Sequence, residues 1–165
     1  MSEDHRCTTD GKPPVNPLDA SVPTNEKRPD GQFKAHWVLC AEERAKGFVR
    51  PIREKYVHVG IPAPKFPTRD LTAEEAERYA KTGYVKFEPY PEGGSTTGRF
   101  WTQKELDSID KGCGVVTRMP YACAETYARE PGYYGSTFCC GCGAYLKVGE
   151  RGEFVWDGTS ERVGT

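Results

Sequence analysis

Cys139-Cys140-Gly141-Cys142-Gly143 is the stretch that decides the fold, because its spacing dictates a chemistry. Cys139 and Cys142 form a C-x-x-C pair followed at once by glycine, between strand-like runs at 136–138 and 144–148. A tight turn at this spacing lets two thiolates face one point while the intervening amides bond back to sulfur. That is half of a tetrahedral zinc site, and the remainder must come from other sulfur or imidazole side chains.

Cys113 is the first candidate, since Gly112-Cys113-Gly114 repeats the glycine-flanked turn chemistry. His58 follows for a topological reason. His58-Val59-Gly60 stops where a distinct segment begins, and Cys113-Gly114 starts where that segment ends. With 61–112 looped out, the chain reads His-Val-Gly-Cys-Gly, an H-x-x-C-G knuckle to match the C-x-x-C-G knuckle downstream. The expected metal set is therefore His58, Cys113, Cys139 and Cys142, holding one structural Zn2+, with a merely packed strand histidine as the plain alternative for His58. Cys123 lies among alanines in a helical stretch and reads as a small buried thiol. Cys140 is the middle residue of its own knuckle and points elsewhere. His36 and Cys40 stand four apart, so a helix would put them on one face; a second metal there competes with simple packing near Trp37.

The chain has 165 residues, 36% of them hydrophobic, with 18 glycines and 13 prolines, which describes a loop-rich molecule in need of a staple. A formal net charge of −1 provides no global basic field for non-specific nucleic-acid binding. Residues 1–10 are polar and charged rather than a signal peptide, and no apolar run reaches membrane-spanning length. Seven cysteines in that setting point to metal rather than to a secreted disulfide framework, and to the cytoplasm (host cytoplasm for a phage protein).

Residues 1–32 carry five prolines and almost no large apolar side chains, so a flexible arm is expected, with His5 and Cys7 as bystanders. A zinc-binding domain is expected from 33–60 plus 112–157, and a polar tail from 158–165. Residues 61–111 read as an inserted subdomain. It holds two capping boxes, Thr72-Ala73-Glu74-Glu75 and Thr102-Gln103-Lys104-Glu105, each starting a helix, with a strand-like run at 84–87 between them. Pro120 suits the start of a helix over 121–129 that stops before Pro131-Gly132. A closing hairpin is expected to pair 145–148 with 154–156. The fold class expected is α+β: a small zinc-ribbon or treble-clef-like, zinc-stapled domain with a helix-strand-helix insertion and a disordered N-terminal arm.

Several segments together resemble a family of small uncharacterised zinc-ribbon-like proteins of phages, prophages and mobile elements. They are Phe48-Val49-Arg50-Pro51, Tyr56-Val57-His58-Val59-Gly60, Cys113-Gly114-Val115-Val116-Thr117, residues 124–131, Tyr134-Gly135-Ser136-Thr137-Phe138-Cys139 and Glu153-Phe154-Val155-Trp156-Asp157-Gly158. The resemblance spans 37–60 and 112–164, roughly half the chain. It implies the same His58 and Cys113 pairing, with 61–111 as an insertion of this protein's own. It implies no activity.

Enzymatic readings lack their motifs. A redox C-x-x-C sits where a strand meets a helix, yet the residues after Cys142 read as a strand. A zinc deaminase needs H-x-E or C-x-E with P-C-x-x-C, and Thr137-Phe138 precedes the pair here. No H-E-x-x-H, P-loop or G-x-S-x-G appears. Glu125, Glu130, Asp107 and Asp110 read as solvated carboxylates. The expectation is a non-enzymatic binding module with no small-molecule substrate and no membrane contact. A protein partner is favoured, engaged as a host protein or defence complex by an inhibitor or adaptor. Nucleic acid is the alternative. Arg44, Lys46, Arg50, Arg53 and Lys55 interleave with Phe48 and Tyr56, although Glu42, Glu43 and Glu54 dilute the segment to about +2. Lys46, Phe48, Arg50, Arg53 and Tyr56 are the expected partner-binding residues.

Overall fold

The computed structural model describes residues 6–8, 26–92 and 97–165. Its elements in chain order are β1 (Arg6–Thr8), β2 (Trp37–Leu39), α1 (Ala41–Arg44), β3 (Lys55–His58), β4 (Arg69–Asp70), α2 (Ala73–Arg78) and β5 (Tyr84–Pro89). They continue with β6 (Gly98–Thr102), α3 (Gln103–Asp107), β7 (Val116–Arg118), α4 (Tyr121–Arg129), β8 (Ser136–Cys139), β9 (Ala144–Lys147) and β10 (Phe154–Trp156). The chain forms two compact units: the part up to Val59 with Cys113–Thr165, and Gly60–Gly112.

In the first unit an antiparallel sheet runs in the order β10-β3-β7, with Tyr56 opposite both Trp156 and Thr117. Side chains alternate across a strand, so β3 turns Tyr56 and His58 to the buried side. The pair β8-β9 is a second antiparallel ladder running from Ser136↔Lys147 to Cys139↔Ala144, which makes 139–143 the turn of a hairpin. Helix α4 starts behind Pro120, ends before Pro131 and buries Cys123, Ala124 and Tyr127 on one face. These groups close a core containing Val38, Tyr56, Met119, Tyr127, Phe154, Trp156 and Val163. The Thr126 hydroxyl accepts from the Leu39 amide at 3.2 Å and ties β2 to α4.

Four expectations are corrected here. The 154–156 strand pairs with β3 rather than with 145–148, whose ladder partner is β8. Its Phe154 and Trp156 are buried aromatics, and the face of Tyr56 offers them edge-on ring contacts at 5.3 and 6.4 Å. Residues 158–165 are no free tail: Val163 is fully buried, its amide donates to the Phe154 carbonyl and its carbonyl accepts from the Gly149 amide. Arg6–Thr8, expected inside the arm, form β1 against β2, and Cys7 is disulfide-bonded to Cys40 with the Cα atoms 5.0 Å apart. Residues 26–32, also expected in the arm, form a closed turn in which Lys27 bridges Phe33 and the Arg28 amide donates to the Gln32 carbonyl at 2.6 Å. The rest of the arm expectation, with His5, lies at 1–5 and 9–25, outside the described residues. Glu125 is not a solvated carboxylate either, since it pairs with Arg44 at 2.5 Å with both side chains largely covered.

In the second unit both capping boxes form as expected: Thr72 and Thr102 accept from the amides of Glu75 and Glu105, whose carboxylates reach back to the caps. The helices are short, and the unit is held chiefly by a sheet of order β4-β5-β6. Strand β6, where no strand was expected, contributes Trp101, buried with its indole N–H on Glu88 at 3.0 Å. Glu88 also accepts from the Phe66 amide, so this buried carboxylate is satisfied on both oxygens. Among the described residues no helix is long and apolar enough to cross a membrane.

Candidate metal centre

The ligand atoms of His58, Cys113, Cys139 and Cys142 all lie within 4.8 Å of one another, and the group could hold a metal ion. Two hairpin stems deliver them. In one, β3 and β7 pair up to Val57↔Val116, and the ladder continues as the Gly114 amide donates to the His58 carbonyl at 2.9 Å. That brings His58 beside Cys113. In the other, the β8-β9 turn presents Cys139 and Cys142, closed by the Gly143 amide donating to the Cys139 carbonyl at 2.8 Å. Gly114 and Gly143, the residue after the last ligand in each turn, both hold φ near the left-handed region, at 73° and 65°.

The sulfurs of Cys113 and Cys139 are 3.4 Å apart, and the Cys142 sulfur is 3.4 Å from His58 Nδ1. Backbone amides point into the cluster. Burial raises the Cys113 thiol, but the Val115 amide, His58 and the neighbouring sulfurs outweigh it and bring it down to about 7. Burial pushes Cys139 up to about 12 against the amides of Cys142 and Gly141. Burial likewise raises Cys142. A cation would replace the protons that these crowded sulfurs otherwise retain. His58 and Cys139 are buried, whereas Cys113 and Cys142 face solvent, so an ion has an entry path.

Residues that the spacing could not point to complete the arrangement. Glu153 lies 3.0 Å from His58 Nε2. A carboxylate there favours the tautomer protonated at Nε2, the usual support of a metal-binding imidazole. It leaves Nδ1, which accepts from the Cys113 amide at 3.2 Å and faces the Cys142 sulfur, as the nitrogen that could ligate a metal. Thr117 holds the two knuckles together, donating to Cys140 Sγ at 3.3 Å and accepting from the Cys140 amide at 3.1 Å. Cys140 therefore turns away from the cluster. Gly141 is obligatory on space alone: a Cβ there would lie 2.8 Å from both Cys113 Sγ and Val115 Cγ2.

The other expected sites fare less well. Cys40 is consumed by its disulfide with Cys7, so the second metal at His36 and Cys40 is withdrawn. Cys123 is buried and its thiol is raised to about 11 by burial, as a core thiol should be. Tyr56 is 2% exposed, with its hydroxyl on the Phe138 carbonyl at 2.5 Å, and cannot reach a partner. Arg53 is mostly covered, stacked on Trp156 and paired with Glu161. Lys46 is exposed beside Glu43, and Phe48 and Arg50 are exposed. The loop that carries them is anchored: Ala128 accepts from the amides of Val49 and Arg50 at 2.8 and 3.1 Å, and Arg129 donates to the Gly47 carbonyl.

The chain matches no protein-family model, no curated protein and no solved structure. The resemblance to zinc-ribbon-like proteins therefore rests on the sequence motifs alone.

Proposed function

We propose that this protein is a zinc-stapled, non-enzymatic binding module in which the metal acts only through the fold it holds. The observation that carries the reading is the donor set, three thiolates and one imidazole on two turns, with Glu153 behind the imidazole. Three sulfurs and one nitrogen suit zinc, and a tetrahedral site with Zn–S bonds of about 2.3 Å has edges of about 3.8 Å. The spread of 3.4 to 4.8 Å brackets that value. Four protein ligands complete a tetrahedron and leave no position for a substrate water. The two hairpin-borne knuckles favour a zinc ribbon over a treble clef, since α4 contributes no ligand.

A protein partner fits better than nucleic acid. With Tyr56 and Arg53 drawn into the fold, the expected basic-aromatic ridge shrinks to the anchored tip at 47–50. There Phe48 and Val49 are 41% and 58% exposed beside Arg50. A rigid apolar tip with one cation suits a protein interface, because its ordering entropy is already spent. The motif resemblance would make such a partner a host factor met by a mobile element. The test is affinity capture on wild type and on the double variant Phe48→Asp, Val49→Asp, with zinc measured by native mass spectrometry. One zinc per chain in both, with partners lost only by the variant, supports the reading. A metal-free wild type, or partners eluted in proportion to phosphate contacts as salt rises, refutes it.

A further inference from the structure

The first unit holds sulfur in two oxidation states. Cys7 and Cys40 are joined in a disulfide, while Cys113, Cys139, Cys140 and Cys142 are free thiols on the two knuckles. Cys123 is a buried core thiol and takes no part.

The four candidate ligands pair off by contact. Cys113 Sγ meets Cys139 Sγ at 3.4 Å, and Cys142 Sγ meets His58 Nδ1 at 3.4 Å. Of these contacts only the first can become a disulfide. A bond of about 2.05 Å asks the two sulfurs to close by about 1.4 Å, within the reach of side-chain rotation. The two members are unequally placed: Cys113 is exposed, whereas Cys139 is fully buried. A dissolved oxidant therefore reaches Cys113, and Cys139 is the thiol waiting behind it. Cys142 is exposed as well, but its sulfur faces an imidazole. Cys140 is held apart, its sulfur accepting from the Thr117 hydroxyl at 3.3 Å and donating to the Val116 carbonyl at 3.5 Å.

We infer that the metal centre is a thiol-disulfide switch, in which a small-molecule disulfide such as glutathione disulfide links Cys113 to Cys139 and releases the ion. The inference rests on the reading above that His58, Cys113, Cys139 and Cys142 hold one zinc. In the first step the Cys113 sulfur attacks one sulfur of glutathione disulfide. A Cys113–glutathione bond forms, the glutathione S–S bond breaks and one glutathione thiolate leaves. In the second step the Cys139 sulfur attacks Cys113 Sγ, forms the Cys113–Cys139 bond and expels the other glutathione thiolate. The protein gives up two electrons, the glutathione disulfide takes them, and solvent protons neutralise the thiolates released. His58 and Cys142 alone are then left as donors, too few to retain zinc. The new bond joins the same two turns that the metal joined, so one staple replaces the other.

The test exposes the zinc-loaded full chain to glutathione disulfide, with zinc release read by a chromogenic indicator and disulfides located by non-reducing peptide mass spectrometry. Wild type should release its whole ion, gain a Cys113–Cys139 link beside Cys7–Cys40, and take zinc up again after treatment with dithiothreitol. Cys140→Ser should do the same. Cys113→His, which keeps a four-donor nitrogen and sulfur set, should retain its zinc throughout that exposure. Zinc retained by wild type overturns the switch and leaves the metal-centre reading in place. So does a link through Cys140 or Cys142 instead of Cys113–Cys139, or a zinc-loaded Cys113→His protein that discharges as fast as wild type. A wild-type chain that carries no zinc before the oxidant is added removes the metal-centre reading and the switch with it.

Discussion

The knuckle at 139–143 is built by five consecutive residues in the turn of one hairpin, whereas its counterpart joins His58 to Cys113, 55 positions later. Both place a glycine with positive φ directly after a cysteine and both sit at the end of an antiparallel ladder. They differ in what holds them. The continuous knuckle is local, and its geometry is largely that of its own turn. The split one depends on the register of β3 against β7 and on Glu153 from the segment before β10. A His/Cys group able to hold a metal is thus assembled across a long excursion of the chain by strands that pair on either side of it.

The largest effect is expected where both knuckles are lost together. Cys139→Ser removes the one fully buried sulfur ligand, and zinc contributes roughly 10 kcal/mol of apparent folding free energy in small structural sites. The variant should bind no zinc and show no cooperative melting transition in the first unit. A folded, metal-free Cys139→Ser protein would show that the core holds both knuckles without an ion.

Gly141→Ala tests the join between them. The added methyl meets Cys113 Sγ and Val115 at 2.8 Å, and overpacking of this kind costs about 1–3 kcal/mol. Melting curves should fall for the zinc form in particular, since the clash forces the two turns apart. Equal losses with and without zinc would place the strain in the 139–143 turn itself.

Glu153→Gln acts on the split knuckle only. Loss of such a carboxylate behind a ligating imidazole typically costs 10–100-fold in metal affinity, roughly 1.4–2.7 kcal/mol. Competition with a chromogenic chelator should register that loss while the near-UV dichroism of the loaded protein stays unchanged. An unaltered affinity would mean that His58 is oriented by its backbone ladder alone.

The smallest effect belongs to the excursion. Replacing 61–111 with a short glycine-serine link should leave zinc stoichiometry at one and change stability by less than about 1 kcal/mol, because loop-closure entropy varies only slowly with length. Loss of zinc in that protein would show that the second unit positions His58 and Cys113, and the symmetry between the knuckles would be only apparent.

Short-range chemistry was readable before any fold was known. The C-x-x-C-G turn, the two capping boxes and the Pro120-led helix are each specified within about ten residues, by the local hydrogen bonds their side chains offer. Even the pairing of His58 with Cys113 was legible, because matching turns flank a segment with its own start and stop signals. Strand partnership was not. Phe154 and Trp156 fit a hairpin with 145–148 as well as a ladder with β3, and burial against Tyr56 settled the choice. The same burial turned Tyr56 from an apparent nucleic-acid contact into a core residue, and drew Val163 out of an apparent tail. The disulfide of Cys7 with Cys40 follows from β1 lying beside β2, a pairing that a proline-rich, weakly apolar arm does not announce. Glu153 and Thr117 are ordinary residues in sequence. Their roles exist only because chain packing sets one polar atom against an imidazole or a turn. Local spacing thus determined which residues could ligate a metal, and long-range packing alone decided which groups support them, since a polar atom's energy depends on what surrounds it once water has been removed.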